Sequence, residues 1–140
     1  MAETIIDLTD TFDVNTIIWL RSLPGDELGP SGRMAEDVET LARACGPFPF
    51  EEIVVTSSKE MLAVLSDLAE RCQSGLRPIL PFDCHGSEDD GLLLAPSGEY
   101  VGWQKLADAL RAVNVAAENN VCCIFWRLLR TPSDEHLVDY

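Results

Sequence analysis

Short apolar runs alternate with stretches of helical periodicity along the chain. Four apolar runs, rich in β-branched residues and typical of buried strands, lie at residues 16–21, 50–56, 77–84 and 121–125. Three stretches repeat apolar side chains every three or four positions and predict helices, at residues 33–46, 58–74 and 103–113. This alternation predicts an α/β fold in which a mostly parallel sheet carries helices on both faces.

Glycine and proline refine this prediction. Residues 24–32 are rich in both and predict a loop. Pro81 has no N–H to donate, which predicts that the third strand lies at a sheet edge or is locally kinked. A short strand at residues 92–94 is expected to lead through a turn at 96–98 into the last helix.

The chain length fits one domain with a single core, since it has 140 residues. We divide it into an N-terminal extension at residues 1–13, an α/β domain at 14–126 and a divergent C-terminal tail at 127–140.

Net charge narrows the range of partners. The chain has 24 Asp and Glu against 10 Lys and Arg, for a formal charge of -14. Such a surface repels phosphate, so we expect neither nucleic acid nor an anionic membrane as partner. A protein or peptide partner, especially a basic one, is more compatible with this negatively charged surface. The alternative is that the acidic surface only maintains solubility.

Cysteine usage and the chain start predict a cytoplasmic protein. Residues 1–10 contain three acidic side chains and lack the basic start and apolar run of a signal peptide. Five cysteines without framework spacing fit free thiols in a reducing compartment. The candidate metal ligands lack metal-site spacing, so we expect neither a metal nor a cofactor; these candidates are Cys84, His85, Cys122, Cys123 and His136.

The loop after the third predicted strand carries candidate chemistry. His85 follows that strand directly and precedes Gly86 in an otherwise polar loop. Functional residues of α/β folds often lie at the carboxyl ends of parallel strands. An imidazole can also gain and lose a proton near neutral pH. A glycine lets a substrate carbonyl approach a backbone N–H that can stabilise an oxyanion. The alternative is that the His-Gly pair only forms a turn.

The order of elements around this pair resembles the caspase-like fold of cysteine peptidases, particularly the bacterial CHAT type. That order is a strand, His-Gly, a short strand, a turn, a helix opening near Trp103 and a last apolar strand. The resemblance covers residues 50–125 and is most specific at 79–94. It implies that His85 is the general base and Gly86 the oxyanion donor. In such enzymes a thiolate attacks the peptide carbonyl, and the imidazole protonates the leaving amine.

The nucleophile that the resemblance implies is missing. It is expected at residues 127–129, which read Arg-Leu-Leu. Cys122 and Cys123 lie inside an apolar strand, and Cys84 should alternate away from His85, so none of them is a good substitute. The resemblance therefore implies a peptidase domain that is inactive. The alternative is a non-enzymatic protein-interaction domain of the same fold.

The tail has two explanations. Permitted codons for residues 125–137, read one base later, encode Ser-Gly-Ala-Cys-Phe-Gly, which fits an altered reading frame. The alternative is natural divergence. In either case the sequence predicts a sheet that is incomplete at its C-terminal side, with an exposed edge at which the chain can self-associate.

The acidic run at residues 87–90 also has two interpretations. It is either a solvated loop or a feature that favours Arg or Lys next to a scissile bond. Trp19 and Trp103 are expected to pack in the core.

Overall fold

The computed structural model describes residues 13–46 and 48–127. In this part of the chain four parallel strands form one sheet, in the order β2-β1-β3-β7, and three antiparallel strands form a small second sheet, in the order β4-β5-β6. The elements are β1 Thr16–Ser22, α1 Leu28–Ala44, β2 Phe50–Val54, α2 Ser58–Gln73, β3 Pro78–Cys84, β4 Gly86–Ser87, β5 Gly91–Leu93, β6 Tyr100–Val101, α3 Trp103–Ala116 and β7 Cys122–Phe125. The predicted α/β fold with a parallel sheet is confirmed.

Alternation along the strands divides the sheet into two faces. Ile18 and Leu20 of β1 are fully buried and pack in the main core with residues of α2 and α3. Arg21 faces the other side, where its Nε donates a hydrogen bond to Ser31 of α1. Helices therefore cover both faces, as predicted, with α2 and α3 on one and α1 on the other.

Local capping chemistry explains why α2 begins and ends where the sequence predicts. The Ser57 hydroxyl accepts a hydrogen bond of 3.1 Å from the Glu60 N–H and caps the first turn. At the other end Gly75 adopts a φ of 109°, which a glycine reaches without strain.

The predicted loop at residues 24–32 is wrong in its second half. Residues Gly25–Glu27 form one 3-10 turn, and α1 then begins at Leu28. Pro30 is tolerated because the first N–H groups of a helix have no intrahelical partner. The buried Ser31 is fixed by polar contacts to the sheet, so packing outweighs the glycine and proline content.

Of the two alternatives predicted for the third strand, an edge position or a local kink, the edge position is wrong, because β3 is central and lies between β1 and β7. Within the described strands, β1 pairs with β3 at Ile17 with Ile79 and again from Leu20 with Phe82, so the ladder is interrupted beside Pro81. A central strand thus accommodates the proline at a local break in pairing.

The small sheet holds the segment after His85 in a tight hairpin. Gly91 has a φ of 106°, and a Cβ there would lie 1.9 Å from the Val101 carbonyl oxygen, so no other residue fits. The Trp103 indole N–H donates to the carbonyls of Ser87 and Glu88, both at 2.9 Å. Trp103 therefore packs against the core, as predicted, and also fixes the hairpin turn.

Among the described residues, none of the helices combines the length and apolar character that crossing a bilayer requires.

Candidate functional site

The carboxyl ends of three neighbouring strands meet at one edge of the sheet. Ser22 of β1 pairs with Cys84 of β3, and Phe82 of β3 pairs with Phe125 of β7. Two residues beyond Phe125, Arg127 comes level with Cys84. The sheet thus places His85 and Arg127 at the edge where functional residues of α/β folds gather.

His85 forms a hydrogen bond with a residue that the sequence did not single out. Its Nε2 lies 2.7 Å from each carboxylate oxygen of Glu27, which ends the 3-10 turn after β1. A carboxylate only accepts hydrogen bonds, so Nε2 carries the donated proton. This nitrogen cannot take a proton from a thiol while the pair persists. The imidazole keeps 21% side-chain exposure and remains accessible from outside.

A buried carboxylate lies two residues before His85 in the sequence. Asp83 is completely buried. Its Oδ2 accepts hydrogen bonds from the Ser31 hydroxyl and, at 3.3 Å, from the Trp19 indole N–H. The Ser31 oxygen in turn accepts from Arg21 Nε at 2.5 Å. A buried charge is tolerable only when donors surround it, and these contacts supply them.

Arg127 joins the buried carboxylate to the histidine pair. Its Nε donates to Asp83 Oδ1 at 2.5 Å, and its Nη1 lies 3.6 Å from Glu27 Oε1. The guanidinium is only 15% exposed. A continuous polar chain therefore runs from Asp83 through Arg127 and Glu27 to His85.

Arg127 stands in the segment where the sequence analysis expects a cysteine. Leu128 and Leu129, which complete that segment, lie outside the described residues. The side chain at this position is a fully charged donor engaged by two carboxylates. It offers no nucleophile.

The backbone at Gly86 suits a donor role. The His85 carbonyl accepts a hydrogen bond of 2.8 Å from the Leu93 N–H, and Gly86 pairs with Leu92. This bond makes Gly86 and Leu92 a non-hydrogen-bonded pair, in which the Gly86 N–H points away from β5. The assignment of Gly86 as oxyanion donor remains a prediction.

Three of the five cysteines are protected as neutral thiols. Burial, reinforced by the Asp83 carboxylate, raises the pKa of Cys84 to about 12. Burial likewise raises the pKa of Cys123 to about 11 and that of Cys72 above its ordinary value. Cys84 and Cys72 are also only 1% exposed. A nucleophilic thiol needs the opposite environment, with access to solvent and a lowered pKa.

A cavity of about 350 Å³ opens beside the histidine. Its wall includes Pro24, His85, Leu93, Leu94, Ala95 and Pro96. The Ser22 hydroxyl accepts a hydrogen bond of 2.8 Å from the Ala95 N–H and so fixes this wall to the end of β1. The acidic turn after Ser87 does not line the cavity. This space fits an apolar side chain.

Sequence reasoning identified His85 and Gly86 but missed Glu27, Asp83 and Arg127. For Asp83 and Arg127 the available signal was a charged residue inside or next to an apolar strand, because such groups need partners when buried. Glu27 lies in the segment that was predicted to be a loop and gave no such signal. Within residues 13–46 and 48–127, no cluster of three or more His, Cys, Asp or Glu side chains could hold a metal ion.

No protein-family model matches the sequence, and no curated protein is significantly similar to it.

Proposed function

We propose that this chain is a caspase-like cysteine endopeptidase domain of the CHAT type that keeps the histidine position, lacks the nucleophile and is catalytically inactive. One observation carries the proposal. Arg127 is the first residue of the segment 127–129 in which the cysteine is expected, and its guanidinium binds Asp83 and Glu27. Glu27 in turn engages the Nε2 of His85.

The chemistry of peptide cleavage supports inactivity. Cysteine peptidases need a thiolate and an imidazole within hydrogen-bonding reach. The thiol next to His85 in sequence is Cys84, which is buried and has a pKa of about 12. The buried Cys84 therefore does not supply the thiolate half of the required pair, whereas donation from Nε2 to Glu27 leaves Nδ1 of His85 to act as the base.

Restoring a thiol at position 127 tests the proposed ancestry. Arg127→Cys would place sulfur just beyond the end of β7, on the same sheet edge as His85. It would also remove the guanidinium that contacts Glu27, the hydrogen-bond partner of His85. We expect this variant to react with a peptidyl acyloxymethyl ketone at least about 10-fold faster than the exposed Cys45 of the same protein. Mass spectrometry of tryptic peptides measures both rates at once.

The double variant Arg127→Cys with His85→Ala is the matched control. It should lose the enhanced rate, because the imidazole no longer ionises the thiol. Equal rates at position 127 and Cys45, or an enhancement that persists without His85, would exclude a caspase-like arrangement. Circular dichroism establishes that each variant is folded.

The apolar cavity supports a second candidate function, a non-enzymatic interaction domain. The cavity beside His85 is lined by apolar groups such as Leu93 and Pro96, so a peptide side chain can bind there without being cleaved. The acidic turn at residues 88–90 lies nearby in sequence and suits a basic residue next to the apolar one.

Titration with a short acetylated peptide containing Leu-Lys tests this second function. The His85 ring resonances should shift on addition of this peptide and stay unchanged with a matched Asp-Asp peptide. Equal shifts with both peptides, or none with either, would contradict binding in the cavity.

We also propose a cytoplasmic location and self-association at the sheet edge. The five cysteines, all within the described residues, are unbridged, which suits a reducing compartment. In the described part of the chain β7 pairs with β3 alone, so its outer edge is available for strand pairing.

A further inference from the structure

The outer edge of β7 is open in the described part of the chain. There β7 pairs with β3 on one side, and none of the described strands lies on its other side. Cys123 and Phe125 pack against the main core but are only partly buried, and Ile124 is 43% exposed. A strand that ends a sheet presents unpaired N–H and C=O groups, and native proteins commonly cover or blunt such an edge.

The first described residues lead toward β7. The Asn15 N–H donates a hydrogen bond of 2.8 Å to the carbonyl of Arg77, directly before β3. The Asp13 N–H donates a hydrogen bond of 2.8 Å to Oδ1 of Asn120, two residues before β7. The backbone therefore crosses from β1 past the amino end of β3 toward the start of β7. The connection to residues 1–12 is made on the β7 side of the sheet.

Chain length allows residues 4–9 to reach the outer edge of β7. Neighbouring strands lie about 4.8 Å apart, so a strand beyond β7 is about 14 Å from β1, which is three spacings. Residues 10–14 span up to about 17 Å when extended. A strand at residues 4–9 that leads into this connection runs toward the amino end of β7, where Asp13 lies. It is therefore antiparallel to β7.

The sequence of residues 4–9, Thr-Ile-Ile-Asp-Leu-Thr, suits such a strand. Four of these six residues are β-branched, and none is glycine or proline. Ile6 and Leu8 share one face by alternation, so they can extend the partly covered apolar row of Cys123 and Phe125. Asp7 places a charge in the middle of the new edge, which discourages the addition of a further strand.

Two other occupants suit this edge less well. Residues 131–140 contain only two β-branched residues, and they include Pro132, which cannot donate to a strand ladder. A second copy brings a further formal charge of -14 to a chain that already carries -14. Residues 4–9 contain no proline and a single charged side chain.

We propose that residues 4–9 pair with the outer edge of β7 as an antiparallel strand and thereby regulate the self-association proposed above for that edge. The edge is closed while this strand is in place, and its displacement opens β7 to a second copy. The docking rests on the Asp13 contact and the open edge. The regulatory role rests on the proposed self-association.

Amide hydrogen exchange, at a concentration where the protein sediments as a monomer, tests the docking. Deletion of residues 1–9 should accelerate exchange in β7 at least about 10-fold relative to the full chain, because outward-facing amides lose their acceptors. The opposite edge strand, β2, is the internal control, and its exchange should change by less than about 2-fold. Unchanged exchange in β7, or equal acceleration in β7 and β2, would overturn the proposal.

Proline substitutions test the pairing at constant charge. Neighbouring N–H groups of a strand point to opposite sides, so one of Ile5→Pro and Ile6→Pro removes a donor to β7. At least one of them should accelerate exchange in β7 about 5-fold or more, the factor for one lost hydrogen bond. Ala2→Pro, outside the strand, is the matched control and should leave exchange unchanged. Equal exchange in all three variants would contradict the pairing.

Deletion of residues 131–140 examines the competing occupant. Exchange in β7 should stay as in the full chain, because residues 4–9 remain in place. Acceleration by this deletion, without acceleration by deletion of residues 1–9, would identify the tail as the occupant and overturn the proposal.

Sedimentation velocity tests the regulation. The chain without residues 1–9 should dimerise at least about 10-fold more strongly than the full chain, and Ile124→Lys should reverse this, since lysine on an edge strand opposes pairing. Val115→Lys, at a side chain 70% exposed on α3, is the matched control and should not reverse it. Equal association of both chains, with exchange in β7 accelerated, would overturn the self-association and the regulatory role. Unchanged exchange would overturn the docking itself.

Discussion

Arg127 donates from Nε to Oδ1 of Asp83 across 2.5 Å, and this contact joins the end of β7 to the end of β3. The same guanidinium reaches Glu27, the partner of His85. The first residue of the segment 127–129 therefore carries a cation that stabilises a buried carboxylate. The residues of this edge form a structural network.

The first prediction concerns that buried carboxylate. Asp83→Ala should lower the free energy of unfolding by about 3 kcal/mol, because Arg127 would lose its buried anion and the Ser31 hydroxyl its acceptor. Urea denaturation measures the change. Asp108→Ala, at a side chain 57% exposed, is the control and should stay within about 0.5 kcal/mol of the wild type. A loss at Asp83 as small as at Asp108 would contradict the network.

The second prediction concerns the histidine pair. Glu27→Ala should increase the rate at which diethyl pyrocarbonate acylates His85 by about 5-fold, the factor for a lost interaction of about 1 kcal/mol. The reason is that Nε2 no longer donates to a carboxylate and becomes free to react. Peptide mass spectrometry measures the rate, and Asp26→Ala, one residue earlier, is the charge-matched control. An equal rate of His85 acylation in both variants would contradict the contact between His85 and Glu27.

The third prediction follows from the raised pKa of Cys84, about 12 against an ordinary value of 9.0. Below pH 9 the Cys84 thiol is neutral in both the folded and the unfolded state, and its contribution to the free energy of unfolding is fully present. As pH rises from about 9 towards 12, only the unfolded chain loses the proton, so stability falls by up to about 1.4 kcal/mol per pH unit.

Urea denaturation between pH 8 and pH 11 should therefore show a flatter decline for Cys84→Ala than for the wild type. Cys45→Ala, which removes an exposed thiol, should decline as the wild type does. Parallel curves for all three proteins would show that Cys84 is not buried as a neutral thiol.

The fourth prediction concerns the hairpin after His85. Trp103→Phe keeps the aromatic ring but removes the N–H that donates to the Ser87 and Glu88 carbonyls. Amide hydrogen exchange across β4 and β5 should accelerate about 5-fold, the factor for about 1 kcal/mol of local stability. Trp126→Phe, directly after β7, is the matched control. Similar amide exchange rates in both variants would show that the Trp103 N–H does not hold the hairpin.

Much of the fold could be predicted because its signals are local. Ser57 caps α2 and Gly75 ends it through contacts within a few residues, and both are visible in the sequence. The predictions were wrong where contacts between residues distant in sequence determine the structure. Ser31 is held in α1 by Arg21 of β1, and the break in pairing beside Pro81 depends on two neighbouring strands.

The candidate site likewise contains one residue that local sequence identifies and others that it does not. His85 could be found because it follows a strand directly, and strand ends concentrate chemistry. Glu27 lies 58 residues from it in sequence, so their pairing depends on how β1 and β3 align. Asp83 and Arg127 are 44 residues apart and needed the register of β3 with β7. Asp83 inside an apolar strand signalled a buried partner but did not identify it.

The most direct test of the central claim is labelling of the wild-type protein with a peptidyl acyloxymethyl ketone, followed by intact mass spectrometry. We expect labelling no faster than that of the exposed Cys45, and the same result in His85→Ala, since no thiol is paired with the imidazole. Rapid stoichiometric labelling that disappears in His85→Ala would show an assembled catalytic pair and contradict an inactive peptidase domain.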